Sequence, residues 1–150
     1  MVECVLLIGL PGAGKSTFFN RHLAATHVHI SKDLLPASAR DKQARQDALM
    51  RAALREGRSV AIDNTNVTIA ERAAIIAVAR EFGARVIGCY INATTREAVA
   101  RNESRTGRGK VPKVAIFTKA KRLEPPRLAE GFDVLQVYRV GAAGQFEATG

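Results

Sequence analysis

The run Gly9-Leu10-Pro11-Gly12-Ala13-Gly14-Lys15-Ser16 satisfies the pattern G-x-x-x-x-G-K-[ST]. Chemically this is a phosphate cradle. Gly9, Gly12 and Gly14 let the backbone turn tightly and aim its N–H groups inward. A helix starting at the end of the run adds its positive end to the same point. Lys15 then reaches the β- and γ-phosphates of a nucleotide and the Ser16 hydroxyl ligates Mg²⁺, with Pro11, Ala13 and Thr17 completing the cofactor-binding stretch. The context agrees, because an apolar strand-like run, Val5 to Ile8, leads straight into Gly9 and a helix-compatible segment follows from Ser16 to Ala25. Such loops serve kinases, GTPases and motor ATPases alike, so the motif implies a nucleotide and leaves the reaction open.

A phosphotransferase also needs a carboxylate to receive the proton of an acceptor hydroxyl and cations to quench charge on the transferring group. Two aspartates stand where strands are expected to end, at the carboxyl edge where open α/β sheets bind ligands. Asp33 follows His29-Ile30 and Asp63 closes Val60-Ala61-Ile62. A carboxylate ending a buried strand is suited to touch metal, to orient Ser16, or to contact the acceptor, and Asp63 has all three roles open to it. The guanine-reading N/T-K-x-D motif is absent, and 150 residues leave little room for the extra domains of most energy-coupling ATPases. A small single-domain kinase over residues 1–150 is the expectation.

The elements that must position these groups are legible as alternating segments. Val5 to Ile8, Val60 to Ile62 and Val86 to Ile91 are short, nearly continuous apolar runs, the pattern of strands buried on both faces of a parallel sheet. His27 to Ile30 and Val134 to Val140 are two further candidates. Thr68-Ile-Ala-Glu71 and Thr94-Thr-Arg-Glu97 have the capping-box form that opens a helix. The first of these helices is expected to carry an apolar stripe of Ala70, Ala73, Ala74, Val78 and Phe82 and to stop at Gly83; another is expected from about Ser38 to Glu56. Strands alternating with helices predict an α/β fold of three layers, a five-stranded, mainly parallel sheet flanked by helices, with a short basic lid. Residues 141–150 have little to bury and are expected to fray.

Hydrophobic residues make up 47% and charged residues 25% of the chain, ordinary values for a globular domain. No apolar run reaches the roughly 18 residues of a membrane span, and a cytoplasmic location without membrane partners is the expectation. Cys4 and Cys89 fall in strand-like runs and read as buried thiols. His22, His27 and His29 form no metal-ligand pattern and read as surface residues. Net charge is +9, and the stretch from Arg101 to Arg127 holds nine basic residues against two acidic ones, a surface suited to phosphates. Aromatic residues are only 5% with no Trp, which argues against an extended base-stacking platform.

Taken in order, GLPGAGKSTFF, SKD after the second strand, AIDNTN with Arg72 following, ARNESRTG leading to VP, and EPPRLAEGF resemble the kinase domain of polynucleotide 5′-hydroxyl kinases, above all the kinase half of polynucleotide kinase-phosphatases. The likeness runs from about residue 5 to 140. It implies a P-loop kinase fold, ATP and Mg²⁺ as cofactors, and the 5′-hydroxyl end of DNA or RNA as acceptor. It also implies roles: Asp33 as the base that accepts the hydroxyl proton, Lys32 as a substrate-phosphate contact, and Asp63 as the aspartate of the D-x-T-N element. Arg101 and Arg105, four apart and so on one helical face, match lid arginines that close over the ATP phosphates. Asn64, Thr65 and Asn66 either shape the acceptor pocket or turn the chain, and Arg72 either meets substrate or lies on a helix surface.

The chain departs from the pattern at Pro36, where some members carry an arginine that grips a substrate phosphate. It contains no D-x-D-G-T phosphatase motif and no ligase lysine motif, so end-healing or repair partners are expected to supply those activities. Two rival readings keep the phosphate loop: a kinase for a small hydroxyl acceptor such as a sugar, nucleoside or antibiotic, and a non-catalytic nucleotide-dependent switch.

Overall fold

A computed structural model describes residues 1–149; Gly150 and the side chain of Arg108 lie outside the described residues. Six strands form one sheet: β1 (Glu3–Ile8), β2 (Val28–Ile30), β3 (Val60–Asp63), β4 (Arg85–Ile91), β5 (Val134–Val140) and β6 (Phe146–Thr149), in the order β2-β3-β1-β4-β5-β6. β1 to β5 run parallel; Cys4 of β1 registers with Val60 on one side and Val86 on the other. The helices are α1 (Lys15–His22), α2 (Lys42–Arg55), α3 (Ile69–Glu81), α4 (Thr95–Glu103) and α5 (Lys113–Arg122).

β1 shows why continuous apolar runs mark this fold. Cys4, Leu6 and Ile8 point to one face, where Met50 and Leu54 of α2 and Ile75, Ile76 and Ala79 of α3 cover them. Val5 and Leu7 point to the other, against Phe18 and Phe19 of α1. Both cysteines are buried as expected, and burial pushes each thiol up to about 12. No described helix is long and apolar enough to cross a membrane.

Three expectations need correction. The sheet has six strands, because the tail expected to fray turns back at Gly141 and Gly144 and pairs β6 antiparallel to β5. Phe146 is what holds it, meeting Phe18 edge-on at 5.1 Å between ring centroids. The buried face of α3 is Arg72, Ile75, Ile76, Val78 and Ala79, whereas Ala70, Ala73 and Ala74 are exposed: the larger isoleucines bury more apolar area than alanines and set the rotation of the helix. α2 starts at Lys42 rather than near Ser38, where the Asp41 side chain accepts from the Ala44 N–H at 3.2 Å.

Candidate active site

The glycine-rich run turns between the end of β1 and the first residue of α1, Lys15, as strand burial and helix initiation together require. Gly12 holds φ +85° and Gly14 φ +111°, conformations that side-chain-bearing residues rarely adopt. A Cβ on Gly12 would lie 2.5 Å from the Ala98 carbonyl oxygen, so the loop backbone presses against α4 where no side chain fits. Lys15 is nearly buried and its ammonium donates to the carbonyls of Gly9 at 3.0 Å and Leu10 at 2.9 Å. Burial pushes this ammonium down to about 8; Asp63 and Asp33 oppose the shift while Arg105 and Lys119 add to it.

Asp63 ends β3 beside the loop. Its Oδ2 accepts from the Ser16 hydroxyl at 2.8 Å and faces His29 Nε2 at 2.8 Å. Burial pushes this carboxyl up, but the hydrogen bond from His29, the Lys15 ammonium and the Ser16 hydroxyl outweigh it and hold Asp63 below the usual carboxylate value. A serine hydroxyl and an ionised carboxylate side by side are hard oxygen donors, a set that fits Mg²⁺ completed by nucleotide phosphates.

A cleft of about 890 Å³ opens over the loop, lined by Pro11, Gly12, Lys15 and Ser16 and by Lys32, Asp33, Asn64, Thr65 and Asn66. Asp33 sits in a 3-10 turn, Lys32–Leu34, that Ser31 caps by accepting the Asp33 N–H at 3.2 Å. The exposed Asp33 carboxylate makes no hydrogen bond or ion pair among the described residues, and it faces the cleft. Its backbone is fixed from below: Asn64 Oδ1 accepts from the Lys32 N–H at 3.0 Å while its amide donates to Gln46 of α2 at 2.6 Å.

Residues 4–126 match the family model described as an AAA domain, most of the chain. The chain belongs to this AAA domain family. It is homologous to kinase domains: a bifunctional polynucleotide phosphatase/kinase of Schizosaccharomyces pombe is 28% identical over 134 residues, 87% of this chain and 32% of the relative. A relative from Acanthamoeba polyphaga mimivirus is 30% identical over 141 residues, 89% of this chain and 32% of the relative. The chain thus spans about a third of the length of these curated relatives. Among solved structures, AvrRxo1-ORF1:-ORF2 with ATP aligns at TM-score 0.76 and 14% identity, covering 99% of this chain and 57% of that one. A gluconokinase from Sinorhizobium meliloti 1021 aligns at 0.65 and 19%, covering 92% and 82%. A fungal RNA kinase aligns at 0.68 and 18%, covering 92% and 38%. These three share the fold, a mostly parallel α/β sheet flanked by helices.

The AAA domain departs from the sequence reading at several positions. Arg101 and Arg105 do not share a helical face, because α4 ends at Glu103 and the chain turns. Arg101 donates to the Ala13 carbonyl at 2.8 Å and braces the loop from α4; Arg105 reaches forward to the Gly109 carbonyl at 3.2 Å and lines the cleft. Arg72 is neither a substrate contact nor a surface residue. It is fully buried, bidentate to Glu130 at 2.8 and 2.9 Å, and donates to the Asn66 carbonyl at 2.9 Å, so its hydrogen-bonding capacity is spent inside the fold. The Asn66 amide likewise donates inward, to the carbonyls of Leu7 and Ile62.

His29 and His27 lie against carboxylates, Asp63 and Glu3, rather than on the surface. Gln46 and Lys119 escaped the sequence reading; no motif marks either. Gln46 is found by its contact with Asn64, and Lys119 by the position of α5 on the cleft wall.

Proposed function

We propose that the protein is an ATP-dependent polynucleotide 5′-hydroxyl kinase, its single domain moving the γ-phosphoryl of ATP to the 5′-OH end of DNA or RNA. The observation that carries this reading is the Asp33 carboxylate, free of side-chain partners yet fixed in its backbone, facing a cleft that Lys15 and Arg105 also line. A nucleotide-binding switch has no use for a base in that place. Asp33 takes the proton from the acceptor hydroxyl as its oxygen attacks the γ-phosphorus and the bond to the β–γ bridging oxygen breaks, releasing ADP. Lys15 and the loop N–H groups hold the donor phosphates in line, and Arg105 stabilises charge gathering on the transferring group. Arg101 keeps the loop in shape through Ala13, and Lys32 lies on the acceptor side. Magnesium, held by Ser16 and Asp63, would supply neutralising charge on the β- and γ-phosphates.

The polynucleotide acceptor is supported by the Schizosaccharomyces pombe relative, a bifunctional polynucleotide phosphatase/kinase, by the RNA kinase neighbour, and by the nine basic residues of positions 101–127. A second reading, transfer to a small hydroxyl compound, is favoured by the gluconokinase neighbour, of which this chain covers 82%.

The experiment is transfer of γ-labelled phosphate from ATP·Mg²⁺ to 5′-OH DNA and RNA oligonucleotides, with gluconate and nucleosides in parallel. Labelling of the oligonucleotides, reduced about 10²- to 10⁴-fold by Asp33→Ala with ATP binding retained, is expected. Labelling of the small acceptors alone would establish the second reading. Acceptor affinity should also fall steeply with salt, since only a multi-phosphate ligand releases many counterions.

A further inference from the structure

α5 presents an unusual outer face. Its inner side is fixed: Ile116 is fully buried with Leu10 and Ala98, and Ala115 and Lys119 line the cleft. On the outside, Val114 and Phe117 remain 67% and 45% exposed, large apolar groups that the fold does not use. Phe117 stands one turn from Lys113 and one turn from Lys121, so the three share a stripe along the helix, and exposed Lys110 precedes it. Lys113 has only a loose pairing with Glu103 at 4.0 Å, and Lys110 and Lys121 have no carboxylate partner among the described residues.

We propose that this stripe binds an unpaired segment of the acceptor strand, Phe117 stacking on a base while Lys113 and Lys121 pair with the flanking phosphates. The inference rests on the polynucleotide reading and sharpens it: the preferred acceptor is a single-stranded 5′ end longer than one nucleotide. Charge decides the occupant. An apolar protein partner has no need of three lysines around its contact, and a second copy of this chain would bring those lysines against their own kind. Two apolar side chains also fall far short of the roughly 1,200 Å² that a stable dimer buries. A base has a π-face that any exposed aromatic ring can stack on, and its backbone brings the matching negative charge. The stripe is continuous with the site, because the same helix walls the cleft through Ala115 and Lys119.

The chain contains no Trp, so Phe117→Trp introduces a single reporter at the stripe. Its fluorescence should be quenched on titration with a single-stranded 5′-OH octanucleotide and not with poly-glutamate, a signal that requires no turnover. Kinetically, Phe117→Ala should raise KM for the octanucleotide about tenfold and leave kcat and the KM for a mononucleotide acceptor unchanged, with Phe117→Trp restoring the wild-type value. Absence of quenching together with octanucleotide kinetics indifferent to Phe117→Ala overturns the proposal. So does quenching by poly-glutamate alone, or self-association abolished by Phe117→Ala. Failure of the wild-type chain to label any oligonucleotide would count against the kinase reading instead, and quenching by the octanucleotide would still stand as binding.

Discussion

His29 Nε2 lies 2.8 Å from Oδ2 of Asp63, the same oxygen that accepts from Ser16. An ionised carboxylate only accepts, so the shared proton belongs to the imidazole, and the ring is clamped by stacking on Phe19 with centroids 4.0 Å apart. β2 thereby supplies an orienting partner to the residue that ends β3. The arrangement makes His29 a positioning residue for Asp63.

Replacing His29 with Phe retains a ring for Phe19 and removes the hydrogen bond. The Mg²⁺ concentration for half-maximal rate should then rise about tenfold, the usual cost of losing an outer partner of a ligand, with thermal stability nearly unchanged. An unchanged Mg²⁺ dependence would reduce His29 to packing.

The Arg72–Glu130 pair ties α3 to the turn before β5 in the buried interior. Glu130→Ala leaves an uncompensated guanidinium there and should cost roughly 3–5 kcal/mol, read by urea unfolding. Because Arg72 does not reach the cleft, kinase activity per folded molecule at low temperature should persist. A KM change without a stability change would instead return Arg72 to the substrate site.

Phe146→Ala tests the last strand. Phe146 contacts Phe18 and His22 and stacks with the Arg21 guanidinium, 5.6 Å from the ring centroid. Since the ring is only partly buried, the loss should be about 2 kcal/mol, below that of a full core deletion. Because Phe18 belongs to the helix that begins at Lys15, nucleotide affinity should weaken alongside; a stable variant would mean that β6 is dispensable.

Asp133 carries a pH dependence of known sign. The Val86 N–H at 2.8 Å and then Arg80 at 2.9 Å hold its carboxyl below the ordinary 3.8. Its stabilising effect is therefore complete above 3.8 and is lost as pH falls through the depressed value. Asp133→Asn should lower Tm at neutral pH and lose less Tm than the wild type as pH falls below 3.8, giving curves that converge in acid.

The phosphate loop was legible because its chemistry is local: Gly12 and Gly14 are needed for their own backbone angles and Lys15 for its own charge, so eight consecutive residues carry the message. β1, β3 and β4 were legible for a similar reason, since a strand covered on both faces is apolar almost throughout, as Val5 to Ile8 is, whereas the partly exposed β2 and β5 carry polar residues and read less clearly. Asp33 and Asp63 could be picked out as carboxylates following such strands. What the sequence lacked was partnership at long range. His29 meets Asp63 across 34 positions, Arg72 meets Glu130 across 58, and Phe146 reaches a helix more than a hundred residues earlier. No periodicity records such pairs, because each depends on which elements become neighbours in the sheet. Tertiary structure therefore decided that a histidine expected on the surface orients the loop's carboxylate. It also turned an arginine expected at the substrate into a buried brace, and an expected loose tail into the sixth strand.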